Sequence, residues 1–230
     1  PEPSITTPAD GDSVISVGAV NMQGKIAGFS SNGPTVDGRI KPDVVAPGVG
    51  VWVAVAKTIS SNDSTYKYAD GTSFAAPITA GVCGLILSAH PELTPMQVRE
   101  ALRNTANNSS SPNNVYGWGL INAYDAVLYW GPVWSNKPEL EYKDDGLYIR
   151  IFLVSKEVID MDAVNFSYQD QEGKKQSTAK LVDNLNEGNN SGLYEAFIPG
   201  LNPADKIPEF EFITVINGKA AKWSSKSFNR

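Results

Sequence analysis

The sequence predicts two domains of different class: an α/β unit built on a parallel sheet over residues 1–130, then an all-β antiparallel sandwich over residues 131–230. Three observations predict it. Residues 14–20 (VISVGAV) form an unbroken apolar run, which reads as a strand covered on both faces and therefore as part of a parallel sheet. Residues 78–90 are apolar at nearly every helical position, so a helix there must be central to its domain. Beyond Trp130 the chain changes to short alternating runs punctuated by turn residues.

Each element follows in order. Residues 29–34 (FSSNGP) and Asp37-Gly38 are turn signals. Residues 43–48 (DVVAPG) give a short strand stopped by Pro-Gly, and residues 49–55 alternate weakly as another strand. Residues 60–68 are polar and read as a surface loop or hairpin. A helix starts near Ser73, with Pro77 within its first turn or so, where a missing N–H costs least. The next helix has Thr94 as N-cap, Pro95 at N1 and Gln97 completing a capping box, with Val98, Ala101, Leu102 and Thr105 as its inner stripe. A short helix around Ala123 and Val127 closes the first domain.

Residues 131–138 (GPVWSNKP) read as a linker. After it, Leu147, Ile149, Ile151 and Leu153 alternate, then Val164, Phe166 and Tyr168, and residues 193–198 and 210–215 give further strands. Asn217-Gly218 is a type I′ hairpin signal. Six or seven strands in about a hundred residues predict a sandwich of the immunoglobulin or fibronectin III kind.

Composition narrows the function. The 230 residues carry 19 basic and 25 acidic side chains, a net charge of −6. The part before Gly131 holds 7 basic and 10 acidic, the remainder 12 and 15, so neither half is basic and a nucleic-acid partner is not expected. One cysteine, Cys83, excludes a disulfide framework and reads as a small buried hydrophobe. No run approaches the ~18 consecutive apolar residues of a membrane span. The first residues lack the parts of a signal peptide, and the chain reads as beginning mid-protein. No cofactor is expected: acidic residues such as Asp43 and Asp70 have no partner at metal-ligand spacing, and Asp144-Asp145 is read as a turn rather than a calcium site.

The stretch Asp70-Gly71-Thr72-Ser73 leaves two readings open. It is an ordinary helix cap, or it sets a serine hydroxyl beside the unpaired N–H groups and positive end of a helix, where a nucleophile and an oxyanion are both served. A serine nucleophile needs a base, normally histidine. The single histidine, His90, follows Ser73 by 17 residues on the same helix, about 25 Å away at 1.5 Å per residue, and cannot be that base. It reads instead as a terminal residue favoured by the helix dipole.

Residues 71–77 (GTSFAAP) resemble the G-T-S-x-A-x-P serine signature of the subtilisin-like serine peptidases, or subtilases. The resemblance extends in order through residues 14–20, 29–34, 41–48 (KPDVVAPG), 88–91 (SAHP), 93–105 and 117–122 (GWGLIN), covering roughly residues 8–128. It implies the C-terminal part of a subtilisin-like parallel-sheet domain, and a peptidase acting on polypeptide substrates through an acyl-enzyme. Ser73 would be the nucleophile, its backbone N–H an oxyanion donor and the Thr72 hydroxyl a second support. Residues 5–12 would correspond to part of the S1 pocket wall. Phe74 stands where the family often has Met. The family's Asp, His and oxyanion Asn blocks would lie upstream of Pro1, so this chain alone is expected to be inactive. The resemblance further implies a secreted or cell-envelope protein, with any structural calcium in the parent and none placed here. An alternative reading is a pseudo-peptidase that serves as a binding scaffold, the sandwich being its recognition module. A parallel sheet lacking its first strands exposes an apolar edge and face. A partner supplying the missing N-terminal half, or an oligomer through that edge, is therefore expected.

Overall fold

The computed structural model describes residues 2–55, 66–135, 137–160 and 162–228. The chain divides into two compact units, residues 1–129 and 130–230.

In the first unit, β1 (Val17–Val20) and β2 (Val44–Pro47) pair in parallel, Val17 opposite Val44 and Val20 opposite Pro47. Ala19, Val20, Val44, Val45 and Ala46 are almost wholly buried, as the unbroken apolar run requires. The strand covers only the last four residues of the run 14–20. Its first part is diverted into polar contacts: Ser16 binds Asp43 through both backbone and side chain, and Val14 offers its carbonyl to Lys41. On the far side of β2, Val45 exchanges backbone hydrogen bonds with Gly119 and Ile121 at 2.9 and 3.1 Å. A separate hairpin joins β3 (Val51–Ala54) to β4 (Tyr66–Ala69), which begins inside the stretch read as a loop or hairpin and runs one residue past it. Residues 60–65 of that stretch lie outside the described residues.

Helix α1 (Thr72–Ala89) packs on β1 and β2 through a single stripe, Ala75, Thr79, Val82 and Ile86. The sequence predicts a helix wrapped on all sides, yet Ile78, Leu85 and Leu87 are 37, 55 and 40% exposed. A helix can bury only the faces its neighbours reach, and here those are two short strands, α3 (Ala123–Val127) and, more lightly, the helix over Pro95–Thr105. At 18 residues and mean hydropathy 1.5, α1 is long and apolar enough by composition to cross a membrane, although no run of consecutive apolar residues shows it. Weakly polar Gly, Ser and Thr lengthen it at little cost in hydropathy. Pro77 is its sixth residue, in the second turn rather than the first. Pro77 has no N–H to give to the carbonyl of Ser73, four residues back.

Helix α2 (Pro95–Thr105) forms as its local signals dictate. The Thr94 side chain accepts from the Gln97 N–H, the Gln97 side chain accepts from the Thr94 N–H, and Val98, Ala101 and Leu102 are buried. Thr94→Ala is expected to lower the stability of this unit by about 1 kcal/mol, read as a shift in urea midpoint at unchanged slope. A shift below about 0.3 kcal/mol would show the cap to be idle.

Among its described residues the second unit holds nine strands, more than the six or seven predicted: β5 (Val133–Trp134), β6 (Glu139–Lys143), β7 (Gly146–Val154), β8 (Asn165–Asp170), β9 (Gly173–Thr178), β10 (Lys180–Asn186), β11 (Ser191–Pro199), β12 (Phe210–Ile216) and β13 (Lys219–Ser224). One antiparallel sheet runs β10-β11-β7-β5 with β6 also on β7; the other runs β13-β12-β8-β9. Their inner faces share one core, including Leu147, Ile149 and Tyr194 from the first and Phe166, Phe212 and Trp223 from the second. The strands missed by periodicity are the polar ones, such as β9 and β10, whose residues are mostly exposed. Asp144-Asp145 forms the two-residue turn between β6 and β7. Asn217 and Gly218 both take positive φ, 49° and 75°, as a type I′ turn demands.

Candidate active site

The start of α1 is fixed by backbone, not by side chains. The Gly71 N–H donates to the Gly48 carbonyl at 2.8 Å, tying the helix to the chain just beyond β2. A Cβ on Gly48 would lie 2.7 Å from Ala19 Cβ and 2.8 Å from the Gly71 carbonyl, so only glycine admits this approach. Gly71 itself takes φ 151°, outside the range of ordinary side-chain-bearing residues. Asp70 reinforces the junction, its Oδ1 accepting from the Gly50 N–H at 2.7 Å.

Helix geometry leaves the first N–H groups of α1 without partners inside the helix. Gly71 N–H is taken by Gly48 and Phe74 N–H by the Gly71 carbonyl at 3.0 Å. Thr72 and Ser73 are the next donors, and neither N–H has a partner among the described residues. No side chain caps the helix. Ser73 is exposed, and among the described residues its hydroxyl makes no hydrogen bond. The arrangement is thus a free hydroxyl beside free N–H donors at the positive end of an 18-residue helix. Such a group can attack an acyl carbon and hold the resulting oxyanion.

Thr72 is half-buried beside Ser73. His90 caps the other end of α1, its Nε2 3.0 Å from the Val127 carbonyl. The structure does not bring it to Ser73. Cys83 is a half-buried free thiol on the same helix, and burial pushes its pKa up, away from the reactive thiolate. In the segment 5–12, the Ile5 N–H donates to the Asn32 carbonyl at 3.0 Å.

Sequence reasoning missed the most heavily bonded acid in the unit. Asp43 and Lys41 are 0 and 2% exposed, joined at 2.8 Å. Asp43 Oδ2 also accepts from the Ser16 N–H at 2.7 Å and the Ser16 hydroxyl at 3.0 Å. Its Oδ1 accepts from Arg103 through Nε at 2.9 Å and through Nη2, while the Arg103 guanidinium stacks 3.9 Å above the Trp118 ring. Burial pushes the Asp43 carboxyl up. Hydrogen bonds from Lys41 and Ser16 and the charge of Arg103 outweigh burial and hold it below the ordinary carboxylate value. Charge at Lys41 and Asp43, two residues apart and directly ahead of the buried strand β2, is the signal that could have revealed it.

With this geometry in place, comparison with known proteins locates the chain. The profile of the Subtilase family matches residues 2–119. Serine protease AprX of Bacillus subtilis (strain 168) is 37% identical over 140 residues, 54% of this chain and 32% of that protein. Subtilisin DY of Bacillus licheniformis is 44% identical over 124 residues, 54% of this chain and 40% of its own length. Bacillopeptidase F of Bacillus subtilis (strain 168) is 30% identical over 227 residues, 86% of this chain but 15% of that protein. The chain therefore spans less than half the length of each of these relatives.

Proposed function

Since the chain belongs to the subtilase family, we propose that it is part of a serine endopeptidase and that Ser73 is the nucleophile. The observation that carries this is the exposed Ser73 hydroxyl beside the unpartnered Thr72 and Ser73 N–H groups at the head of α1. In the reaction, Ser73 Oγ bonds to the scissile carbonyl carbon and passes its proton to a histidine. The Ser73 N–H, supported by the Thr72 hydroxyl, takes the oxyanion. The C–N bond then breaks, the amine leaving with that proton, and water releases the acyl group from Oγ. The histidine and its orienting aspartate come from residues outside this sequence, because His90 is the one histidine here and sits at the far end of α1.

The second unit is an immunoglobulin- or fibronectin-like accessory domain in this reading. Its sheet orders support that: with β6 as strand A they become A-B-E-D and C′-C-F-G. A secreted or cell-envelope setting fits the family resemblance and a polypeptide substrate.

The test is covalent labelling of the complete protein by a fluorophosphonate probe. The expected adduct maps to Ser73, disappears in Ser73→Ala, and is absent when residues 1–230 are treated alone. An unlabelled Ser73 in the complete, folded protein would leave the scaffold reading.

A further inference from the structure

The β3–β4 hairpin carries aromatic surface that folding does not account for. Trp52, Tyr66 and Tyr68 lie on one face of it and are 57, 58 and 71% exposed. Trp52 stacks on Tyr66 with centroids 5.9 Å apart at 10°, and meets Tyr68 edge-on at 4.7 Å. Cross-strand pairing explains why Trp52 faces Tyr68. It does not explain three rings whose outer surfaces remain in water, an arrangement that marks a binding surface. The other face of the two strands holds half-buried Val51 and Val53 together with Lys67, so among the described residues of β3 and β4 the aromatic face bears no charge.

The position of the hairpin names the occupant. Strand β4 runs through Ala69 into Asp70, Gly71, Thr72 and Ser73, and both ends of the excursion are tied where Gly71 meets Gly48 and Asp70 meets Gly50. Tyr68 precedes Ser73 by five residues, at most about 18 Å of extended chain. A polypeptide held at Ser73 covers that span with about five of its own residues.

Resting on the peptidase reading above, we infer that Trp52, Tyr66 and Tyr68 form a secondary recognition platform for the bound polypeptide, selecting an aromatic or large apolar side chain three to six residues from the scissile bond. The rings act on substrate preference, not on the bond-breaking step.

The experiment uses the complete enzyme and peptide pairs that differ only in carrying Phe or Gly at one position, scanned up to six residues on each side of the cleaved bond. The Phe-to-Gly ratio of kcat/KM is expected to reach on the order of tenfold at one such position. That ratio should fall close to one in Trp52→Ala, and should be partly kept in Trp52→Leu, which preserves bulk. Because it is taken within each variant, the ratio is independent of how much of that variant is folded. A ratio that is flat in the parent, or unchanged in Trp52→Ala and Tyr68→Ser, overturns the inference while leaving Ser73 as nucleophile. Absence of both cleavage and Ser73 labelling would instead remove the peptidase reading on which the inference stands.

Discussion

Replacing Asp43 by alanine is expected to destabilise the first unit by about 3–5 kcal/mol. The carboxylate is wholly buried and answers two cations and the backbone of Ser16 at once. Without it, Lys41 remains 2% exposed with only the Val14 carbonyl as acceptor, and Ser16 loses the partner of its N–H. Removing one partner of a buried ion pair is strongly destabilising because it leaves an uncompensated buried charge. Equilibrium urea unfolding followed by Trp fluorescence would measure it. A loss below about 1 kcal/mol would show that water reaches Lys41 and solvates it. The same group gives a pH signature. Its carboxyl is held below the ordinary value of 3.8 when folded, so its contribution is complete above that value and is lost as pH falls through it toward the folded pKa. Wild type should weaken below about pH 4, and Asp43→Asn should show a flatter acid limb.

On the peptidase reading proposed above, Ser73→Ala in the complete protein is expected to lower kcat by about 10⁶, the scale known for the corresponding serine of subtilisin itself and taken from there. KM should move little, because the hydroxyl acts on the transition state more than on the bound peptide. The exposed position of Ser73 and the backbone origin of its helix start make the variant structurally mild. Urea unfolding should therefore shift by less than about 0.5 kcal/mol. A loss of less than about 100-fold would transfer the nucleophile role to another residue.

The legible parts of the chain are those whose physics is local. Thr94, Pro95 and Gln97 announce α2 because a capping box closes within four residues. Asn217-Gly218 announces its turn because few residue pairs take two positive φ values. The serine-bearing turn is legible as a motif, while its free N–H groups emerge only from the hydrogen bonds that Gly71 and Phe74 make. What stays hidden depends on distant residues. Asp43 meets Ser16 and Arg103 across 27 and 60 positions, and no periodicity records that. The run 14–20 reads as seven strand residues, but the Ser16–Asp43 contacts shorten it to four. Helix α1 reads as central because its sequence is apolar all round, yet hydrophobicity states what a face prefers, not whether a neighbour is there to cover it.

The junction of Gly48 and Gly71 has a consequence for how such a chain can diversify. The chain leaves the sheet at Gly48 and returns at Gly71, and one backbone hydrogen bond closes the excursion. Among the described residues, the bonds that tie this junction come from Gly48, Gly50, Asp70 and Gly71, and none from a side chain of β3 or β4. The hairpin is therefore an exchangeable cassette. It can be lengthened, shortened or resurfaced, at about 0.6 kcal/mol of closure entropy per doubling of its length, while Ser73 keeps its place. Grafting the hairpin of one relative onto the frame of another should transplant selectivity without rebuilding chemistry. Natural variation can act on the two traits separately, because the glycines hold them apart.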